Sequence, residues 1–137
     1  MNRNQWLHAF YDALAVPHTN RNAWAGVSWI QAEGGTARWN PLNTTQRMPG
    51  SWDYNSVGVQ NYPDFETGLA ATVKTIEQTN PALGYVAILT RLRRDARPAS
   101  TLKAVEASQW GTGGLALKVL PYVRADYWKY ASTLIAS

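Results

Sequence analysis

Cysteine is absent from the 137 residues, so the chain can hold neither a disulfide framework nor a thiolate metal site. Histidine is nearly as scarce: only His8 and His18 occur, on separate segments, which argues against a histidine-built zinc centre. No metal and no cofactor are therefore expected. No stretch is apolar enough to span a bilayer, and Met1-Asn2-Arg3-Asn4-Gln5 leads into an amphipathic segment instead of the apolar run of a secretion signal. The hydrolytic chemistry left is that of carboxylates without a metal.

What is present describes one globular domain, expected to span residues 1–137. Apolar residues make up 45% and charged residues only 16%, a balance that buries a core and disfavours disorder. The net charge of +4 is unevenly placed. Residues 84–137 hold most of the excess, with Arg91, Arg93, Arg94 and Arg97 as the densest run. Such a field suits an anionic polymer, although a charge run also serves as a plain solvated face. A nucleic-acid partner is not expected, because no aromatic residues interleave with that run and no recognised motif accompanies it.

Helical spacing recurs along the chain. Trp6, Phe10, Ala13 and Leu14 predict a first helix capped by Asn2 or Asn4 and stopped by Pro17. Trp24, Val27 and Ile30 predict a second, from Asn20 or Asn22 to Glu33, with Gly34-Gly35 as its left-handed exit. Between Thr36 and Tyr62 the period breaks, and Asn40-Pro41, Pro49-Gly50 and Asn55-Ser56 read as loop with a small β-hairpin. Further helices are expected over Phe65–Ile76, around Tyr85–Leu92, after a Ser100 cap, and in two segments near Leu115–Val123 and Ala125–Ile135, the former disturbed by Pro121. The fold class is mainly α (α+β), with a helical core and a small hairpin flap.

Glu33 is the residue that stands out. A helix C-terminus carries a negative potential, which disfavours an ionised carboxylate, and Trp29 one turn back would desolvate it. Both effects raise its pKa and suit a general acid. The plain alternative is a solvated residue before a Gly-Gly cap, where Lys or Arg would be the favoured choice.

Trp29-Ile30-Gln31-Ala32-Glu33-Gly34-Gly35 resembles the catalytic glutamate element of the soluble lytic transglycosylases and goose-type lysozymes. Ser56-Val57-Gly58-Val59-Gln60 is similar to their Ser-x-Gly-Leu-Met-Gln strand, one residue shorter and with Val59 in place of Met. Gly68-Leu69 falls where the family's next helix lies, and Glu106 to Gly114 resembles a diverged Ala-Tyr-Asn-Ala-Gly turn. The resemblance runs in order from about residue 24 to 114. It implies a lysozyme-like fold and cleavage of the MurNAc–GlcNAc β-1,4 bond of peptidoglycan, as in phage endolysins and tail-associated lysins. The implied partners are glycan strands and the anionic bacterial wall, reached by a monomer acting at that wall.

A second carboxylate would sit about 5 Å from the acid in a retaining hydrolase and about 6.5–9.5 Å away in an inverting one. Asp53, in the expected flap, is the choice for it; its alternative is a turn residue bonding its own backbone. Family transglycosylases manage with one glutamate, the sugar's own groups completing the reaction. Trp52, Tyr62 and Trp110 lie in non-helical segments where aromatic faces can stack on sugars, and Ser56, Gln60 and Asn61 offer polar contacts. Trp6, Trp24, Trp29 and Trp128 fall on helical periods and are assigned to the core. A non-catalytic wall- or glycan-binding module on the same fold is the competing reading.

Overall fold

The first helix, α1 (Arg3–Leu14), begins where two side chains satisfy each other's backbones. Asn2 accepts from the Gln5 N–H at 2.8 Å and Gln5 accepts from the Asn2 N–H at 2.9 Å, a reciprocal box that uses two otherwise orphaned donors. The computed structural model describes residues 1–137. Helix α1 ends ahead of Pro17, with Ala15 in the left-handed region at φ 54°.

Helix α2 (Asn20–Glu33) is capped by Thr19, which accepts from the Asn22 N–H at 3.1 Å. The expected caps Asn20 and Asn22 lie inside the helix. Asn22 is instead buried, its amide donating to the carbonyls of Pro17 and Leu92 at 2.9 Å each. Six consecutive residues, Ala25 to Ile30, are buried. At about 100° per residue these cover every face of the helix, so α2 is the axis of the domain and not a surface helix with one apolar stripe. It packs on α6, α5 and α1. The crossing with α1 depends on Gly26, where a Cβ would lie 2.5 Å from Leu7 Cδ2.

A loop then leads to the only sheet, a two-stranded antiparallel hairpin of β1 (Trp52–Asp53) and β2 (Gln60–Asn61), paired Trp52 with Asn61 and Asp53 with Gln60. The strand expected from Ser56 onward begins only at Gln60. Asn55 turns the chain instead: its side chain accepts from the Val59 N–H at 3.1 Å and its carbonyl from the Gly58 N–H at 3.3 Å.

The remaining helices are α3 (Phe65–Ile76), capped by Asp64, then α4 (Tyr85–Arg93), α5 (Pro98–Ala107), α6 (Leu115–Ala125) and α7 (Tyr127–Ala131). Helix α5 starts two residues before the expected Ser100 cap, because Pro98 suits the first helical position, where an N–H has no partner anyway. Helix α6 runs through Pro121 without a break. The last expected helix is cut to five residues, since Leu134 leaves to form a bridge with Asn2. Trp128 consequently stands 59% exposed, outside the core to which its spacing had assigned it. The architecture is mainly helical with one small hairpin, and 25 buried apolar residues from Trp6 to Ile135 form a continuous core.

Candidate active site

Glu33 is the last residue of α2 and is only partly open to solvent. Gly34, in the left-handed region at φ 57°, turns the chain sharply at that point, and the loop that follows folds back onto the carboxyl. Asn43 makes this contact: its amide donates to the Glu33 main-chain carbonyl at 3.0 Å and to Glu33 Oε2 at 3.1 Å. Asn43 is itself left-handed, at φ 57°, a conformation that Asn tolerates better than most residues.

The loop is held by a second asparagine. The buried Asn40 donates to the Thr44 carbonyl at 2.9 Å and the Gln60 carbonyl at 2.8 Å, and accepts from the Thr44 N–H at 2.9 Å. Gly35 is needed for this packing, since a Cβ there would lie 2.8 Å from the carbonyl oxygens of both Asn40 and Pro41.

Aromatic rings wall the carboxyl. Trp110 stands edge-on to Trp29 with centroids 5.1 Å apart and tilts against Tyr85 at 5.4 Å. Its indole N–H donates to the Leu42 carbonyl at 2.6 Å, which ties the wall to the Asn40–Asn43 loop. In this setting the Glu33 pKa is pushed up to about 7, chiefly by burial. Asn43 opposes the rise by donating to the carboxylate, and so does Trp29. The Trp29 N–H reaches no partner at full hydrogen-bond geometry, so we take its effect as that of a nearby dipole. The negative charge of Glu106 raises the value further. Burial and the Glu33 charge likewise raise the phenol pKa of Tyr85.

Glu106 is held in place by hydrogen bonds. It accepts from the Thr112 N–H at 3.1 Å, from the Thr112 hydroxyl and from the Gly114 N–H at 2.5 Å, so its oxygens are committed to closing the glycine-rich turn. It is this carboxylate, and not Asp53, whose charge is felt at Glu33. Asp53 stands exposed on the hairpin, where it accepts from Gln60 Nε2 at 2.7 Å and faces Arg47 at 3.8 Å.

The other sequence-picked residues divide sharply. Tyr62, Gln60 and Trp110 are buried, so the ring faces of Tyr62 and Trp110 are covered by protein and not open for stacking. Tyr62 donates to the Gln46 carbonyl at 2.5 Å, and Gln60 accepts from Ser51 at 2.9 Å while donating to Asp53. All three are supports: their amphipathic side chains carry a polar end that finds an internal partner, and the rest packs. Asn61 accepts from the Arg38 N–H at 2.8 Å, and Ser56 lies exposed in the hairpin turn. Trp52 and Tyr54 remain accessible, each 46% exposed, beside Val57 at the hairpin tip. The Tyr54 hydroxyl is hydrogen-bonded to Thr36, three residues after Glu33, which ties the flap to the loop that follows α2.

Sequence reasoning missed Asn43, Tyr85 and the charge of Glu106. Asn43 sits in an unremarkable Leu-Asn-Thr-Thr stretch; its only signal is a residue type that tolerates a left-handed backbone. Glu33 does not line the hollows around Tyr11, Trp24, Ala32, Pro121 or Ile76. Comparison with family models, curated proteins and solved structures finds no match to this chain.

Proposed function

We propose that this chain is a glycosidase of the lysozyme and lytic transglycosylase type, cleaving the MurNAc–GlcNAc β-1,4 bond of peptidoglycan with Glu33 as general acid. The observation that carries the reading is a single carboxyl at a helix end, its pKa pushed to about 7 by burial and its position fixed by Asn43. With that pKa a substantial fraction of Glu33 keeps its proton near neutral pH, and the protonated form gives it to the glycosidic oxygen as an oxocarbenium-like centre develops. The carboxylate formed is then stabilised by the Asn43 amide and the Trp29 dipole, both of which favour the charged state.

The open flap aromatics Trp52 and Tyr54 support stacking on the glycan. Glu106 is spent on the 112–114 turn and Asp53 on Gln60 and Arg47. This supports completion by the substrate's own groups, as in a transglycosylase, over a second protein carboxylate. The same reading makes the bacterial wall the site of action, in the manner of a phage-type lysin.

Mass spectrometry of soluble products from purified peptidoglycan tests it. Wild type is expected to release anhydro-muropeptides, and Glu33→Gln none. Reducing MurNAc ends would return Asp53 to a catalytic role, and an absence of any Glu33-dependent product would leave a glycan-binding module.

A further inference from the structure

Arginine is concentrated in the run Arg91–Arg97, but the fold does not keep that run together. Arg91 turns to the Ala87 carbonyl at 3.2 Å and Arg93 to the Leu14 carbonyl at 3.1 Å. Arg97 instead meets Arg21 of α2 and Arg124 of α6 around one hollow of about 270 Å³, lined also by Trp24, Pro98, Ala99 and Leu120. No acidic residue lines it, and none of the three guanidiniums has a carboxylate within ion-pair distance. Asp95, the nearest acid along the chain, directs its carboxylate to the Thr19 hydroxyl at 2.6 Å and gives Arg21 only its main-chain carbonyl, at 3.2 Å.

Two of the three forks are already held. The Arg124 guanidinium carbon sits over the Trp24 ring at 4.7 Å from its centroid, a cation–π contact that restrains the side chain. Arg21 is tethered by its bond to Asp95. Three positive charges around one small hollow repel one another, and a bound anion relieves that repulsion. A tetrahedral oxyanion matches converging guanidinium donors, which pair with its oxygens two at a time. The hollow is roomy enough for a phosphate together with part of the group it esterifies.

We propose that Arg21, Arg97, Arg124 and Trp24 form a binding pocket for a phosphate group, monoester or diester, separate from the Glu33 site. The sequence cannot show this site, because Arg21 and Trp24 come from α2, Arg97 from the N-cap of α5 and Arg124 from α6, and Arg97 alone belongs to the visible run.

NMR titration of the ¹⁵N-labelled protein with inorganic phosphate, at constant ionic strength in chloride, tests the proposal. The readouts are the Trp24 indole and the arginine Nε–H resonances, with acetate as the matched carboxylate control and glycerol phosphate as the ester probe. Saturable shifts confined to this hollow are expected with both phosphates and not with acetate. Arg97→Gln combined with Arg124→Gln is expected to weaken binding at least tenfold, and Arg124→Lys to weaken it by less. Should the double variant lose its dispersed spectrum, Arg21→Gln, an exposed position, gives the same readout. No saturable shift, equal response to acetate, or unchanged affinity in the arginine variants overturns the pocket. Activity on peptidoglycan is not the readout, so failure here leaves the Glu33 reading untouched.

Discussion

Glu33, Asn43 and Glu106 show how one side chain's chemistry is set by its neighbours. A general acid must carry its proton, so kcat/KM on peptidoglycan is expected to fall as pH rises through about 7, the value to which burial lifts Glu33. Glu106→Gln removes a negative neighbour while keeping one acceptor oxygen for the 112–114 turn. The alkaline limb of the pH profile is expected to move to lower pH; an unmoved limb would remove Glu106 from the electrostatics of the site. Asn43→Gly preserves the left-handed backbone and deletes the amide. It is expected to shift the limb the other way, because the lost donor favoured the ionised form. A loss of about 10²-fold in kcat should accompany that shift, as expected for an acid no longer held in place. An acid shift, or full activity, would show that Asn43 is merely a loop residue.

The decisive element is the loop between Gly34 and Thr44, which has no regular structure yet carries the site. Its shape follows from close backbone approach at Gly35 and from asparagine bonds that stand in for a ladder. Gly35→Ala is therefore expected to push Asn40 and Pro41 outward and lower stability by about 1–3 kcal/mol, the usual range for overpacking. Thermal unfolding measures the loss, and activity should fall more than stability does, because Asn43 moves with the loop. Helix ends were legible wherever a local cap decides them, as at Asn2 and Asp64. The hairpin was legible only as turn-rich sequence. Its strands are two residues each, too short to show an alternating pattern, and its register is set by Asn40 and Gln60 bonding across the loop.

Across the whole molecule, the raised pKa of Glu33 ties part of the stability to the proton it carries. The folded state holds the proton more tightly than the unfolded chain does, so the stability tied to that proton is fully present below pH 4.5 and is lost as pH rises through about 7. Glu33→Gln, which cannot ionise, is expected to be more stable than wild type at pH 8 by roughly 2–3 kcal/mol, discounted for the partial exposure of the carboxyl. The difference should vanish below pH 4.5, where both side chains are neutral. Denaturant melts at the two pH values decide it, and an equal difference at both would mean that the gain has nothing to do with charge. A gain in stability joined to a loss of activity is the combined result that a structural glutamate would not give.

The sequence by itself determined the helices with strong apolar period, the sharp exit at Gly34, the absence of thiol chemistry, and Glu33 as the odd charge at a helix end. These follow from local rules: spacing, capping and the field of a helix act within a few residues. Only the tertiary structure decided that α2 is buried on every face and that Tyr62, Gln60 and Trp110 are buried with their polar ends bonded internally. It also brought Asn43 and Glu106 to the acid and set Arg97 beside Arg21 and Arg124. Burial and through-space charge depend on which segments meet, and a linear reading carries distance along the chain but not across it.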